Sequence, residues 1–232
     1  MIPKFLVTAA LTTFITGGLF AQDSAERSAP FTDAEREAVY TKSIDNRASA
    51  ILKELGLTDT NKAARVHDAL VAQYRALRAR DAALDTMFQS LSKNAPGIET
   101  NRNAILRVLS EQLHNQFLER LATDLTPEQI EKVKDRMTYN KAKITYDAYC
   151  EMLPSLSDAE KAKMLENLKA AREEAMDGGS ADEKSAIFEK YKGRINNQLS
   201  ANGHDVGKAS REWAAKQKLK EEASAKPAST TQ

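Results

Sequence analysis

The 232-residue chain reads as an all-α protein: an elongated antiparallel bundle of six or seven helices, without a sheet, built around a central helix that is apolar on two sides. Three observations lead there. Apolar residues recur at the three- and four-residue spacing of a helix face through most of the chain. A Thr or Ser followed three residues later by Glu or Gln occurs at Thr32, Thr126, Ser157 and Ser180, and this capping-box pattern marks helix starts. No alternation bounded by hairpin turns suggests a strand.

Taken in order, Thr32 and Glu35 open a helix that runs to Leu55, with Val39, Ile44, Ala48, Ile51 and Leu55 on one side and Gly56 closing it. Thr58 is placed to cap a second, whose seam of Ala63, Val66, Leu70, Tyr74, Leu77, Leu84, Phe88 and Leu91 ends before Pro96-Gly97. A third runs from about Asn101 to Ala122, and the short Thr123-Asp124 link makes the next helix its antiparallel neighbour. That next stretch is the predicted centre. Thr126 caps it, Pro127 occupies the first helical position, and Pro154 stops it at Leu153, giving a helix roughly 40 Å long.

At 100° per residue, Ile130, Val133, Met137, Ile144, Ala148 and Met152 share one side of this helix. Tyr139, Ala142, Tyr146, Tyr149, Cys150 and Leu153 lie almost opposite. A surface helix buries one stripe only, so both faces are expected to be covered, Ile144 included. Ser157 then opens a helix ending at Gly178-Gly179, and Ser180 opens another ending at Asn202-Gly203. Trp213 is expected to dock a last, polar helix. The resulting domain plan is a signal peptide over 1–21, a flexible segment over 22–30, a helical domain over 31–206, and a polar C-terminal helix with a disordered tail over 207–232.

The signal peptide is read from Lys4, the apolar run Phe5 to Phe20, and Ala21 before a polar stretch. Export to the periplasm or the extracellular space follows, with no stable membrane insertion after cleavage. The chain holds 34 Lys and Arg against 33 Asp and Glu. Loss of Lys4 with the leader makes the two sums equal, and a neutral chain without a basic patch is a poor nucleic-acid partner. Cys150 is the only cysteine, so no intramolecular disulfide is available, and the residue is expected to be a small buried hydrophobe.

Catalytic and metal signatures are absent. His67, His114 and His204 stand on separate segments without zinc-ligand spacing, and no phosphate-binding glycine loop or nucleophile elbow occurs. Neither a cofactor, a metal nor an enzymatic activity is expected. Two stretches invite a ligand instead. The Tyr139, Tyr146 and Tyr149 stripe is either a helix seam or a platform for stacking sugar rings. Gly193, inside a helical pattern, costs about 1 kcal/mol relative to alanine and calls for a close-approaching backbone or a ligand. Beside it, Arg194 and Asn197 share a face as a fork of donors and an amide. Tyr139, Tyr146, Arg194 and Asn197 are therefore the candidate binding residues.

Met137-Thr138-Tyr139 through Tyr149, the Leu153-Pro154 stop, Ala171-Arg172-Glu173 with Ala175-Met176-Asp177, and Lys190-Tyr191-Lys192-Gly193-Arg194-Ile195-Asn196-Asn197 together resemble a family of exported bacterial proteins known as domain of unknown function 3826. The resemblance runs from about Tyr40 to Asp205. It implies sugar binding and brings no catalytic residues. The function expected is an exported, non-enzymatic binding protein for glycans or oligosaccharides; the alternative is an envelope helical chaperone or protein-interaction scaffold, with a protein as partner.

Overall fold

The computed structural model describes residues 32–89, 91 and 97–225. Among them are eight helices and no strand: α1 (Asp33–Leu55), α2 (Thr60–Gln89), α3 (Ile98–Ala122), α4 (Pro127–Met137), α5 (Lys141–Met152), α6 (Asp158–Met176), α7 (Ala181–Ala201) and α8 (Val206–Ala225). The signal peptide, the flexible segment after it and the tail beyond Ala225 lie outside the described residues. Two compact units divide the chain. Of Met1–Val39 the structure describes the opening turns of α1, where Thr32 and Glu35 form the expected reciprocal cap: Thr32 N donates to the Glu35 carboxylate at 2.7 Å, and Glu35 N donates to the Thr32 hydroxyl at 3.2 Å. Val39 is exposed. Tyr40–Gln232 contains everything below.

Caps decide where most of these helices begin. Thr126, Ser157 and Ser180 each accept from the backbone N–H three residues on, while Gln129, Glu160 and Glu183 reach back to the cap backbone. At α2 the cap is Asp59 rather than Thr58. Its carboxylate accepts from Asn61 N at 2.9 Å and Lys62 N at 3.0 Å, two donors that a helix start leaves orphaned. Gly56 closes α1 in the left-handed region, at φ 61°. Between α6 and α7, Gly179 lies close against α2: a Cβ there would fall 2.0 Å from Asp81 Oδ2, so that carboxylate would have to shift.

The apolar interior is divided into two clusters. Ile44, Ile51, Val66, Leu70, Phe117, Leu121, Val133 and Met137 form the first, drawn from α1 to α4 with Met176 from the end of α6. Ala142, Tyr149, Leu153, Met164, Leu168, Phe188, Ile195, Leu199 and Val206 form the second, drawn from α5 to α8. The chain crosses from one to the other between α4 and α5.

At that crossing the structure departs from the predicted central helix. The stretch from Pro127 to Met152 is two helices, and this break raises the helix count to eight. Asn140 N donates to Asp135 O at 2.8 Å and Tyr139 N donates to Arg136 O at 3.1 Å. These two bonds make the Schellman closure of a helix C-terminus, with Tyr139 as its left-handed residue at φ 58°. Asn140 follows at φ 55° and begins α5. Thr138, fully buried, completes the stop by donating its hydroxyl to Lys134 O at 2.9 Å and Asp135 O at 3.2 Å.

The two faces read in the sequence are therefore used in succession, not side by side. Val133 and Met137 bury the aliphatic face of α4 in the first cluster; Ala142, Tyr149 and Leu153 bury the tyrosine face of α5 in the second. On one continuous helix Ile144, seven residues after Met137, would stand within about 20° of its side. The turn takes it away instead, and Ile144 is 60% exposed. The expectation that it is a core residue is overturned. Substituting Ile144 by Asp places a carboxylate in water and changes unfolding stability by less than about 0.5 kcal/mol in denaturant titration; a loss above about 2 kcal/mol would restore the continuous helix.

Candidate functional site

The left-handed turn between α4 and α5 presents Tyr139 outward, 41% exposed. An L-residue with a bulky side chain avoids this conformation, at a cost of about 1–2 kcal/mol. Glycine or asparagine is the ordinary occupant of such a helix end, so the tyrosine is held against its own preference by the Asp135 and Arg136 carbonyls. Strain of this kind collects where a side chain is used.

Tyr139 borders a shallow depression of about 490 Å³ between the start of α5 and the outer face of α7. Lys141, Ile144 and Thr145 line it from α5, and Ala181, Ser185, Phe188, Glu189 and Lys192 from α7. Apolar and polar groups both line it. Tyr139 and Ile144 offer exposed apolar surface, while Thr145, Ser185 and the Lys192–Glu189 ion pair at 2.8 Å offer donors and acceptors. Such a lining can hold a polyhydroxylated ring by its apolar face and by its hydroxyls together.

The other sequence candidates lie elsewhere. Tyr146 is half-buried against the second cluster, beside Cys150, which is itself half-buried there. Tyr149 is a core residue: its hydroxyl donates to Asn196 of α7, and burial pushes the phenol up to about 12. Arg194 and Asn197 are exposed on α7, while Tyr191 and Ile195 are buried. The Arg194 guanidinium stacks 4.6 Å above the Tyr191 ring, whose hydroxyl donates to Glu174 at 3.0 Å. Tyr146, Arg194 and Asn197 are not among the residues lining the depression that Tyr139 borders. Apart from its chain neighbours and the nearby backbone of its own helix, Gly193 has no atom of the described residues within 4 Å of where a Cβ would stand. The close-approach explanation for it does not hold.

A polar network joins α3, α4 and α6 behind the turn. Arg172, 5% exposed, donates to Asp135 at 2.7 Å, to Glu131, and to Glu173 at 3.3 Å. Burial works against its charge, and the Asp135 and Glu131 carboxylates outweigh that, raising the guanidinium above its ordinary value. Its Nε alone lacks a partner. Lys134 bridges Glu131 and Glu173 at 3.1 and 3.0 Å. His114 of α3 sits 3.2 Å from Asp177 and 3.6 Å from Glu173, and its hydrogen bond with Asp177 raises its pKa against the opposing effect of burial. Lys184 of α7 closes the end of α6 by donating to Ala175 O at 2.9 Å and Met176 O at 3.1 Å, and burial brings it down to about 8.

Each histidine has a carboxylate neighbour. His67 lies 3.1 Å from Asp45, and His204 2.9 Å from Glu160. Among the described residues no group of three or more His, Cys, Asp and Glu side chains could hold a metal ion, and no helix is long and apolar enough to cross a membrane. Trp213 is half-buried and ties α8 to α5 by donating its Nε1 to Glu151 at 3.0 Å.

The fold and its open, polar-rimmed depression define an all-α helical-bundle protein with a concave surface beside a strained tyrosine. The chain belongs to the family described as "Protein of unknown function (DUF3826)", whose model matches residues 41–219. No curated protein matches it. The matched span begins inside α1 and ends inside α8, so it covers both clusters, the turn and the depression.

Two measurements test this description. Tyr139→Gly removes the left-handed strain, offset in part by a more flexible unfolded chain, and is expected to leave stability equal or higher by up to about 1 kcal/mol; a loss above about 1 kcal/mol would mean that the ring is a packing element. The second concerns pH. Because the folded pKa of His114 is raised, its interaction with Asp177 stabilises fully below the ordinary value of 6.5 and is lost as pH rises through the folded value. The stability difference between the native protein and His114→Gln should therefore be larger at pH 5.5 than at pH 9, and a flat or inverted difference would contradict the assignment.

Proposed function

We propose that the protein is an exported, non-enzymatic binding protein for oligosaccharides, with Tyr139 as its stacking platform. The observation that carries this reading is the outward, strained Tyr139 on a hydrogen-bonded turn, beside a depression lined by hydroxyls, two ammonium groups and a carboxylate. Rigid backbone holds an aromatic ring in place at little entropic cost on binding, and hydrogen-bonding groups around it read hydroxyl positions. Export is supported by the sequence alone, through Lys4, the apolar Phe5 to Phe20 run and Ala21.

A second reading, a helical envelope chaperone or protein-interaction scaffold, draws on a different observation. Met87 of α2 and Ile105 and Val108 of α3 are exposed on the hairpin that these two helices form. One set of experiments separates the two. Calorimetric titration of the purified protein with a panel of neutral and acidic oligosaccharides should show binding that falls at least tenfold in Tyr139→Gly. Absence of binding across the panel, together with suppressed aggregation of unrelated unfolded clients, would replace the first reading by the second.

A further inference from the structure

Tyr139 also lines a second concavity, of about 280 Å³, formed with Arg47 of α1, Tyr74 of α2, Arg136 at the end of α4, and the buried Ile51 and Met137. Its chemistry differs from that of the first. Two guanidinium groups and two phenol rings border it, and no carboxylate does. Arg136 Nε lies 2.8 Å from a Glu54 carboxylate oxygen in an ion pair, and its two terminal nitrogens have no hydrogen-bond partner among the described residues. The Arg47 guanidinium lies 5.8 Å from the centroid of the Tyr74 ring and makes no hydrogen bond or ion pair among the described residues.

With Glu54 balancing Arg136, the site carries a net single positive charge. Arginine forks bind planar carboxylates edge-on through paired N–H groups, and such charge-assisted bonds are about twice as strong as neutral ones. We propose that this concavity is an anion subsite for a carboxylate, so that the ligand is an acidic oligosaccharide: one sugar ring lies on Tyr139 and the uronate carboxylate of its neighbour reaches Arg47 and Arg136. The inference rests on the oligosaccharide reading and names the substrate class for it. Because Tyr139 borders both concavities, a chain of two or three sugars passing over the ring meets both linings. A planar carboxylate suits this lining of guanidinium edges and aromatic rings. A sulfate ester pairs with a guanidinium fork through the same N–H groups, so it is the competing anion that the test separates from the carboxylate.

The test titrates the full chain, at low salt where the charge is least screened, with a galacturonate trisaccharide, the galactose trisaccharide of the same linkage, and its sulfated ester. The uronate should bind at least tenfold more tightly than the neutral sugar. That preference should fall below threefold in Arg47→Gln, with the melting temperature unchanged, and should persist in Lys216→Gln, which removes the same charge from the exposed face of α8. Equal affinity for uronate and neutral sugar, or a preference that survives in Arg47→Gln, overturns the anion subsite while the oligosaccharide reading stands. Tightest binding of the sulfated ester overturns the carboxylate assignment. Binding of none of the three overturns the oligosaccharide reading, and this inference with it.

Discussion

Two consecutive residues in left-handed conformation, Tyr139 and Asn140, govern the architecture of the larger unit. A chain that must serve two hydrophobic clusters in succession has to change the direction in which it presents apolar residues, and a continuous helix cannot do so within three residues. The turn does it through backbone hydrogen bonds that end one helix on the carbonyls of Asp135 and Arg136, and the next begins at once. Thr138 matters as much as its neighbours. Its buried hydroxyl donates to the Lys134 carbonyl in the last turn of α4 and also reaches Asp135 O, which already accepts from Asn140 N.

Arg172 holds the two sides of that turn in register. It belongs to α6, whose Leu168, Ala171 and Ala175 face the second cluster, yet its guanidinium reaches the Glu131 and Asp135 carboxylates of α4, which serves the first. A buried guanidinium of this kind adds little net stability over an apolar replacement, and its charge is shared among the Asp135, Glu131 and Glu173 carboxylates. Its role is to fix how α4 lies on α6, and hence where the turn and Tyr139 point. The same α6 gives Met176 to the first cluster, so one helix is shared by both interiors.

The helical character of the chain was legible because it is written locally. Reciprocal caps at Thr32, Thr126, Ser157 and Ser180 are read from residues three apart, and the amphipathic seams of α2 and α7 from spacings within two turns. The break at Thr138 was not read, because no glycine or proline marks it. The signals were Lys134 and Arg136 in a last turn and Asn140 just beyond, a residue that tolerates left-handed geometry, and they were outweighed by apolar periodicity that continued in a new phase. Tyr139 was read with Tyr146 and Tyr149 as one stripe, which the turn separates: Tyr139 is exposed, while Tyr149 is in the core. Arg47, Tyr74 and Arg136 were not legible, because their meeting depends on α1, α2 and α4 converging, a long-range arrangement with no local signature.

Glu160 carries a consequence for how the molecule breathes. One carboxylate closes the capping box of α6, accepting from Ser157 N at 2.9 Å, and also receives Asn202 at 2.9 Å and His204 at 2.9 Å from beyond the end of α7. Those hydrogen bonds, led by that of the Ser157 backbone, hold the carboxyl down to about 2. At the opposite end of the same pair of helices, Lys184 fastens the last carbonyls of α6 to α7. Fraying of either helix at these ends breaks bonds that hold the other, which couples the opening of α6 to that of α7.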